Sequence, residues 1–465
     1  MQTTRRSFLK VGAAAASALA FPTIIPARVL GAAAPSKRLR VAQIGCGRIA
    51  FTMDMPGVVG TKLADFVAVS DYDARRAAYA KEYLEGAYKK AKLTVPDIAV
   101  CGDYKEILAR ADVDAVVIST PDHQHAEPAA AAALAGKDIW LQKPLAMAIA
   151  ESRACCDTVT KANRVLQIGS QQRSSEQFRK ACEYVRSGRI GRITSVEIGL
   201  PKDETKADEP EQPVPPHLNY DAWLGSTPKT YYTEQAVHSQ KLVKGKPDVN
   251  SRPGWLRNED HTLGMITGWG SHHFDIMHWG LGIVEGGPEK VEGEAEFPTN
   301  KIWNVHLGYK IQYTYPGNII VNVSDKYPNG VRFIGDEGWI FVSRGAAKAT
   351  ASDPGMPATK LKALDASKPA LITGDPSTKL YVSKNHHMNW VECIQSRKEP
   401  ITPVINGHHV FAACSVGWVA MKLKRPLKWD AKAEKFIGDD EANKLLRRDE
   451  RPGYGVFNLL AKQKA

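Results

Sequence analysis

The run Arg38-Leu39-Arg40-Val41-Ala42-Gln43-Ile44 leads directly into Gly45-Cys46-Gly47-Arg48-Ile49-Ala50. A short apolar run ending in G-x-G-x-x-A reads as a buried strand that turns sharply into a helix, and this constrains the fold more than any other feature of the chain. The first glycine permits the tight turn, and the second lets the backbone approach a pyrophosphate. The small third residue keeps the helix close to the sheet, so that the helix N-terminus faces the phosphate charge. Glycine also serves tight turns for purely structural reasons, so the motif gains its meaning from the strands and helices that come after it.

A second strand, Phe66-Val67-Ala68-Val69-Ser70, ends at Asp71, 26 positions after Gly45. That is near the spacing at which a carboxylate accepts the hydroxyls of an adenosine ribose. Such an aspartate repels a 2′-phosphate and favours NAD over NADP, a preference that Arg75 and Arg76 weaken. Asp73 is read instead as a cap for a helix over 74–91. Helices over 104–110, 126–135 and 148–162 then alternate with strands over 114–118, 138–141 and 165–168. This rhythm predicts a doubly wound parallel sheet. Ligands of such sheets lie at the carboxyl ends of the strands. Those ends carry the glycine loop, Asp71, Ser119-Thr120-Pro121-Asp122-His123-Gln124-His125 and Gln142-Lys143-Pro144. Lys143, stiffened by the proline, is a candidate for chemistry beside a nicotinamide; an ordinary exposed lysine is the plainer reading.

From about Gln167 the rhythm changes. Runs over 192–199, 305–315, 318–324 and 339–342 read as longer alternating strands of an antiparallel or mixed sheet, and Pro201 to Pro216 reads as a loop. Nine of the ten tryptophans and eleven of the thirteen histidines lie after residue 200. Tryptophan faces can stack on sugar rings, although each one taken alone is more often core. The densest chemistry lies between Trp255 and Trp279. If 271–281 is helical, Asp275 falls one turn beyond His272 and can pair with it for proton transfer or substrate holding. Four histidines within 18 residues lack a recognised ligand spacing, so no metal is expected. His386-His387 and His408-His409 read as structural. The charged stretch from Trp429 onward suits a surface or an oligomer contact.

At 465 residues the chain exceeds one ordinary core, and two domains are expected: 35–165 for the dinucleotide and 166–465 for substrate and assembly. The formal charge is +12, but the basic residues form no stripe with interleaved aromatics, which argues against nucleic-acid binding. Seven cysteines with no C-x-x-C pair suggest neither a zinc site nor a disulfide framework. Residues 1–34 open with Arg5-Arg6, continue through an apolar, alanine-rich stretch and end in small residues, the order of a twin-arginine signal peptide. Export to the periplasm is therefore expected, with no membrane insertion once the leader is removed. That route carries folded proteins, which suits one that acquires a cofactor first.

Taken together, the glycine loop, Thr120-Pro121-Asp122-x-x-His125, Ala135-Gly136-Lys137, Gln142-Lys143-Pro144, Gly169-Ser170-Gln171-Gln172-Arg173, Ser187-Gly188-Arg189-Ile190-Gly191 and His272-x-x-Asp275-x-x-x-Trp279 resemble the glucose-fructose oxidoreductase / inositol dehydrogenase (Gfo/Idh/MocA) family. The segment from His387-Met388-Asn389-Trp390 to Arg448 looks like that family's exported branch. The resemblance implies an N-terminal Rossmann domain and a C-terminal α+β domain on an open mixed sheet, assembled as a homodimer or homotetramer. It implies NAD, less so NADP, bound by Gly45, Gly47, Arg48, Ile49, Asp71, Thr120, Pro121, His125, Gln142 and Lys143. The implied catalytic residues are Lys143 and His272. A sugar or glycoside would be held by Arg173, Trp255, Arg257, His273 and Asp275, with His387 within reach by analogy. Two departures stand out: the family's glutamate is Gln142, and its frequent aspartate four residues before the histidine is Gly268. The implied activity is oxidation or reduction of a secondary sugar hydroxyl. An NAD-dependent glycosidase working through a transient 3-keto sugar, and a non-catalytic sugar-binding relative, are the alternatives.

Overall fold

In the computed structural model, which describes residues 38–345 and 359–463, the opening apolar run is strand β1 (Leu39–Ile44). The proposed leader lies outside the described residues. Five further strands share its sheet: β2 (Ala64–Ser70), β3 (Ala99–Cys101), β4 (Ala115–Ile118), β5 (Asp138–Leu141) and β6 (Leu166–Ile168). Their order is β3-β2-β1-β4-β5-β6, and every pair is parallel. β4 and β5 are buried along their whole length, as strands covered on both faces must be. Because the chain leaves β1 towards β2 on one side and returns to β4 on the other, a crevice opens at the carboxyl ends of β1 and β4.

The connections follow local capping chemistry. After β1 a five-residue π-helical turn, Ala50–Asp54, precedes α1 (Met55–Thr61). Asp73 caps α2 (Ala74–Lys90), its side chain accepting from the amides of Arg75 and Arg76. Asp103 and Glu106 form a reciprocal capping box at α3 (Tyr104–Leu108). The alanine-rich α4 (Ala126–Leu134) and then α5 (Ile149–Lys161) complete this half.

Helix α6 (Glu176–Arg186) leads to β7 (Ile193–Gly199). An irregular stretch comes next, with a short helix α7 (Tyr220–Leu224) and a hairpin of β8 (Leu242–Val243) and β9 (Lys246–Pro247). Beyond it lie α8 (Met265–Gly268) and α9 (Gly270–Leu281). The remaining strands are β10 (Lys290–Ala295), β11 (Tyr309–Tyr315), β12 (Ile319–Ser324), β13 (Gly330–Gly335), β14 (Gly338–Val342) and β15 (Leu364–Ala366). Helices α10 (His386–Ser396) and α11 (Val404–Leu423) precede β16 (Leu427–Asp430) and β17 (Lys435–Phe436). The nine-stranded sheet runs β15-β14-β13-β7-β12-β11-β10-β16-β17. It is mixed because β7 and β12 pair in parallel while their other neighbours pair antiparallel. Helix α9 lies directly on this sheet: a Cβ at Gly280 would stand 2.4 Å from the Phe333 ring, so only glycine allows the approach. Among the described residues no helix is long and apolar enough to cross a membrane.

Candidate active site

One cleft of about 1320 Å³, its open mouth included, runs along the carboxyl ends of the parallel strands. Gly45, Gly47, Arg48, Ile49, Asp71, Thr120, Pro121, His125, Gln142 and Lys143 all line it. The loop needs its first glycine twice over. Its φ is +81°, and a Cβ there would stand 2.9 Å from Ser119 and Thr120 at the end of β4. At Gly47 the nearest neighbour of a Cβ would be the Ser119 carbonyl at 4.0 Å, which leaves the cleft side open to a ligand. The Asp71 carboxylate is aimed by the amides of Cys46 (2.7 Å) and Asp73 (2.8 Å). Burial, with Asp73 nearby, pushes it up to about 6.

The residues from His217 to Trp255 form a strap across this end of the cleft. Leu218 bridges to Asp73, His238 bonds the Asp73 carboxylate at 3.1 Å, and Arg76 donates to the Asp248 carbonyl at 2.9 Å. His238, Ser251, Arg252, Pro253 and Trp255 thereby join the lining.

At the other end Lys143 donates to the Gly268 carbonyl at 2.7 Å, linking the parallel sheet to α8. His125 clasps the same turn, one ring nitrogen facing the Pro144 carbonyl and the other the Thr120 carbonyl. Burial holds this imidazole neutral, down at about 4. Gln142 turns its amide to the fully buried Asp54, donating to both carboxylate oxygens at 2.9 and 3.0 Å. Ser119 (2.7 Å) and His387 (3.2 Å) complete the shell of Asp54. A carboxyl group absent from position 142 is thus present at 54, reached through the amide.

Asp122 also lines the cleft, with Thr262 donating to one of its oxygens at 2.8 Å. Burial raises its carboxyl to about 7, against the opposing pull of Lys143 and the Thr262 bond. His272 stands one turn beyond Gly268 on α9. It is buried and absent from the cleft wall. Burial, then Arg344 and Lys143, drive it well below the ordinary histidine value, so it is neutral at physiological pH.

The family model for the N-terminal, NAD-binding Rossmann fold of the Gfo/Idh/MocA oxidoreductases matches residues 39–170. The model for that family's C-terminal α/β domain matches residues 202–353 and 373–456. The chain belongs to this family. Among curated relatives it is 42% identical over 93 residues to levoglucosan dehydrogenase of Pseudarthrobacter phenanthrenivorans, covering 20% of this chain and 24% of that one. It is 32% identical over 160 residues to inositol 2-dehydrogenase of Rhizobium meliloti, covering 34% and 44%. The matched stretch therefore spans less than half of either relative. Among solved structures, aldose-aldose oxidoreductase of Caulobacter crescentus with glycerol aligns at TM-score 0.57 and 18% identity, over 84% of this chain and 99% of that one. A levoglucosan dehydrogenase complex with NADH and L-sorbose aligns at 0.56 and 18%, over 84% and 98%. The chain is thus a member of the Gfo/Idh/MocA oxidoreductase family with an NAD-binding Rossmann fold, and sugar and inositol dehydrogenases are among its relatives.

Four of the residues expected at the substrate are engaged in contacts away from the cleft lining. Arg173 and Asp275 form a buried ion pair at 2.7 Å, and Asn406 bonds both of them. Asp275 therefore joins α9 to the turn before α6 and to α11, and does not pair with His272. His273 is bound to the Gly199 carbonyl at 3.0 Å. Arg257 lies 4.3 Å over the Trp303 ring and pairs with Glu204. None of these four lines the cleft. Of the expected substrate contacts only Trp255 does, joined by Trp223 and Trp269, which the sequence offered merely as two more late tryptophans. Asp54 carried no motif. Asp122 lay within a recognised one, but its role depends on Thr262.

Proposed function

We propose that this chain is an exported, NAD-dependent oxidoreductase that acts on a secondary hydroxyl of a sugar or sugar derivative and keeps its cofactor bound between turnovers. The observation that carries this reading is the continuity of one cleft, from the glycine loop and Asp71 to Lys143 and three tryptophans. Tryptophan faces suit the apolar faces of sugar rings. When bound, the nicotinamide supplies a hydride acceptor. The residues around it then have to orient the sugar and handle one proton. Lys143, fixed on the Gly268 carbonyl, is placed to hydrogen-bond the reacting oxygen, and neutral His272 behind it limits the positive charge around that ammonium.

Preference for NAD is supported by Asp71 and by the engagement of both nearby arginines. One terminal nitrogen of Arg76 is bound to the Asp248 and Ser239 carbonyls and one of Arg75 to Gln240, which occupies part of each guanidinium. Retention of the cofactor is supported by the strap over the Asp71 end. Export rests on Arg5-Arg6 and the apolar stretch after them, and assembly as a homodimer or homotetramer on family membership.

The test is mass spectrometry of small molecules released on denaturing the purified protein, followed by a panel of sugars and glycosides read for both NADH and free aglycone. Bound NAD and sugar-dependent NADH are the expected results. Aglycone release without net NADH would replace this reading with the glycosidase.

A further inference from the structure

We propose that Asp122 is the base that takes the proton of the reacting sugar hydroxyl, an assignment that rests on the sugar-oxidoreductase reading of the cleft. Asp122 opens the short 3₁₀ turn Asp122–Gln124 immediately after β4, on the wall of the cleft that also holds Lys143. Its side chain is fixed from the second half of the molecule by Thr262, whose oxygen in turn accepts from the Gly264 amide at 3.2 Å. At Gly268, where Lys143 is anchored, the chain offers a carbonyl and no carboxylate. Asp122, at the end of the strand next to the one that carries Lys143, brings a carboxylate to the cleft wall.

The groups facing Asp122 leave it free to act. Lys143, from the end of β5, is its charged neighbour. His125, on its own turn, lies between two carbonyls, and its ring, held neutral by burial, donates to one of them. His123 and His261 are buried behind it and neutral. Arg448, which faces those two rings, is paired with Glu151. A carboxyl at its ordinary value is a feeble base; burial lifts this one to about 7, where a general base works best near neutral pH.

In the oxidation the hydroxyl O–H bond breaks and its proton passes to an Asp122 oxygen. The C–H bond on the same carbon breaks with its electron pair, which leaves as hydride to the NAD nicotinamide, and a carbon–oxygen double bond forms. The Asp122 proton then goes to solvent, with Lys143 holding the carbonyl oxygen that results.

The experiment compares the wild-type holoprotein with Asp122→Asn and Asp122→Glu, using the sugar that gives most NADH in the panel. Rates are taken from about pH 5 to 9, NAD content is measured in each variant, and the carboxyl band is followed by infrared difference spectroscopy. The expected wild-type rate of oxidation falls below about pH 7, where the base becomes protonated. Asp122→Asn should lose about 100-fold or more in turnover, lose that pH limb and the carboxyl band titrating with it, and retain its NAD. Asp122→Glu should recover part of the rate. Turnover of Asp122→Asn within a few-fold of wild type, an unchanged pH limb, or absence of the titrating band from wild type would each overturn the assignment. Loss of NAD from Asp122→Asn would make Asp122 a cofactor ligand and overturn it too. A wild type that oxidises no sugar removes the functional reading and the assignment with it, whereas an active wild type with an active Asp122→Asn removes the assignment alone.

Discussion

A buried carboxyl that titrates near neutrality in the fold, but near its ordinary value in the unfolded chain, weakens the fold as pH rises. Asp122 is raised to about 7 by burial, so between its ordinary value and 7 the folded state binds the extra proton. Below pH 4 its effect on stability vanishes; through the window above that it costs progressively more, reaching on the order of 2–4 kcal/mol. Asp122→Asn should therefore match wild type in denaturant unfolding at pH 4 and exceed it at pH 8. Equal gains at both pH values would contradict the raised value. Asp71, at the dinucleotide end, gives a second prediction: Asp71→Ala should weaken NAD and ease NADP, measured by calorimetry on stripped protein. Unchanged relative affinities would remove Asp71 from the ribose site. Residues of this kind were legible because their chemistry is local: Gly45, Asp71 and Lys143 each sit at a strand end that hydrophobic patterning marks. Asp54 and Asp122 were not, because their partners Gln142 and Thr262 stand 88 and 140 positions away. The Arg173–Asp275 pair, 102 positions apart, and the Asn406 bonds to both are likewise contacts that sequence spacing does not show.

At the scale of elements, the alternation of apolar runs and amphipathic helices located five of the six parallel strands to within a residue or two, since strands buried on both faces leave uninterrupted apolar runs; the three-residue edge strand β3 (Ala99–Cys101) is too short to leave one. The π-helical turn Ala50–Asp54 had no such signature; it is imposed by tertiary contacts of Asp54 with Ser119, Gln142 and His387. Helix α9 was legible as a helix, but which of its polar residues faced the cleft was not, since all but its last residue are buried. The Arg173–Asp275 pair ties this helix to α11 and to the turn before α6. Removing one partner leaves an uncompensated buried charge, which typically costs about 3–5 kcal/mol. Asp275→Ala should thus lower the unfolding free energy by that much while the folded protein keeps its NAD and its KM for sugar. A raised KM without a change in stability would return Asp275 to the substrate.

Across the whole molecule, the two sheets meet where Lys143 reaches the Gly268 carbonyl and where the strap from His217 to Trp255 is fastened to Asp73 and Arg76. The proposed export would call for such a fastening, because little free cofactor is available outside the cytoplasm. Replacing Arg5 and Arg6 by lysine should accordingly strand the precursor in the cytoplasm, and unchanged periplasmic yield in fractionated cells would refute the twin-arginine route. The most direct measurement is rapid-mixing absorbance of the protein as purified, with no cofactor added, against the sugar panel. Reduced nicotinamide should form on the wild type, and in Lys143→Ala it should form about 100-fold more slowly or worse with bound NAD unchanged. Equal rates in the two proteins, or no reduced nicotinamide from any sugar even after NAD is supplied, would contradict a retained NAD that oxidises a sugar beside Lys143.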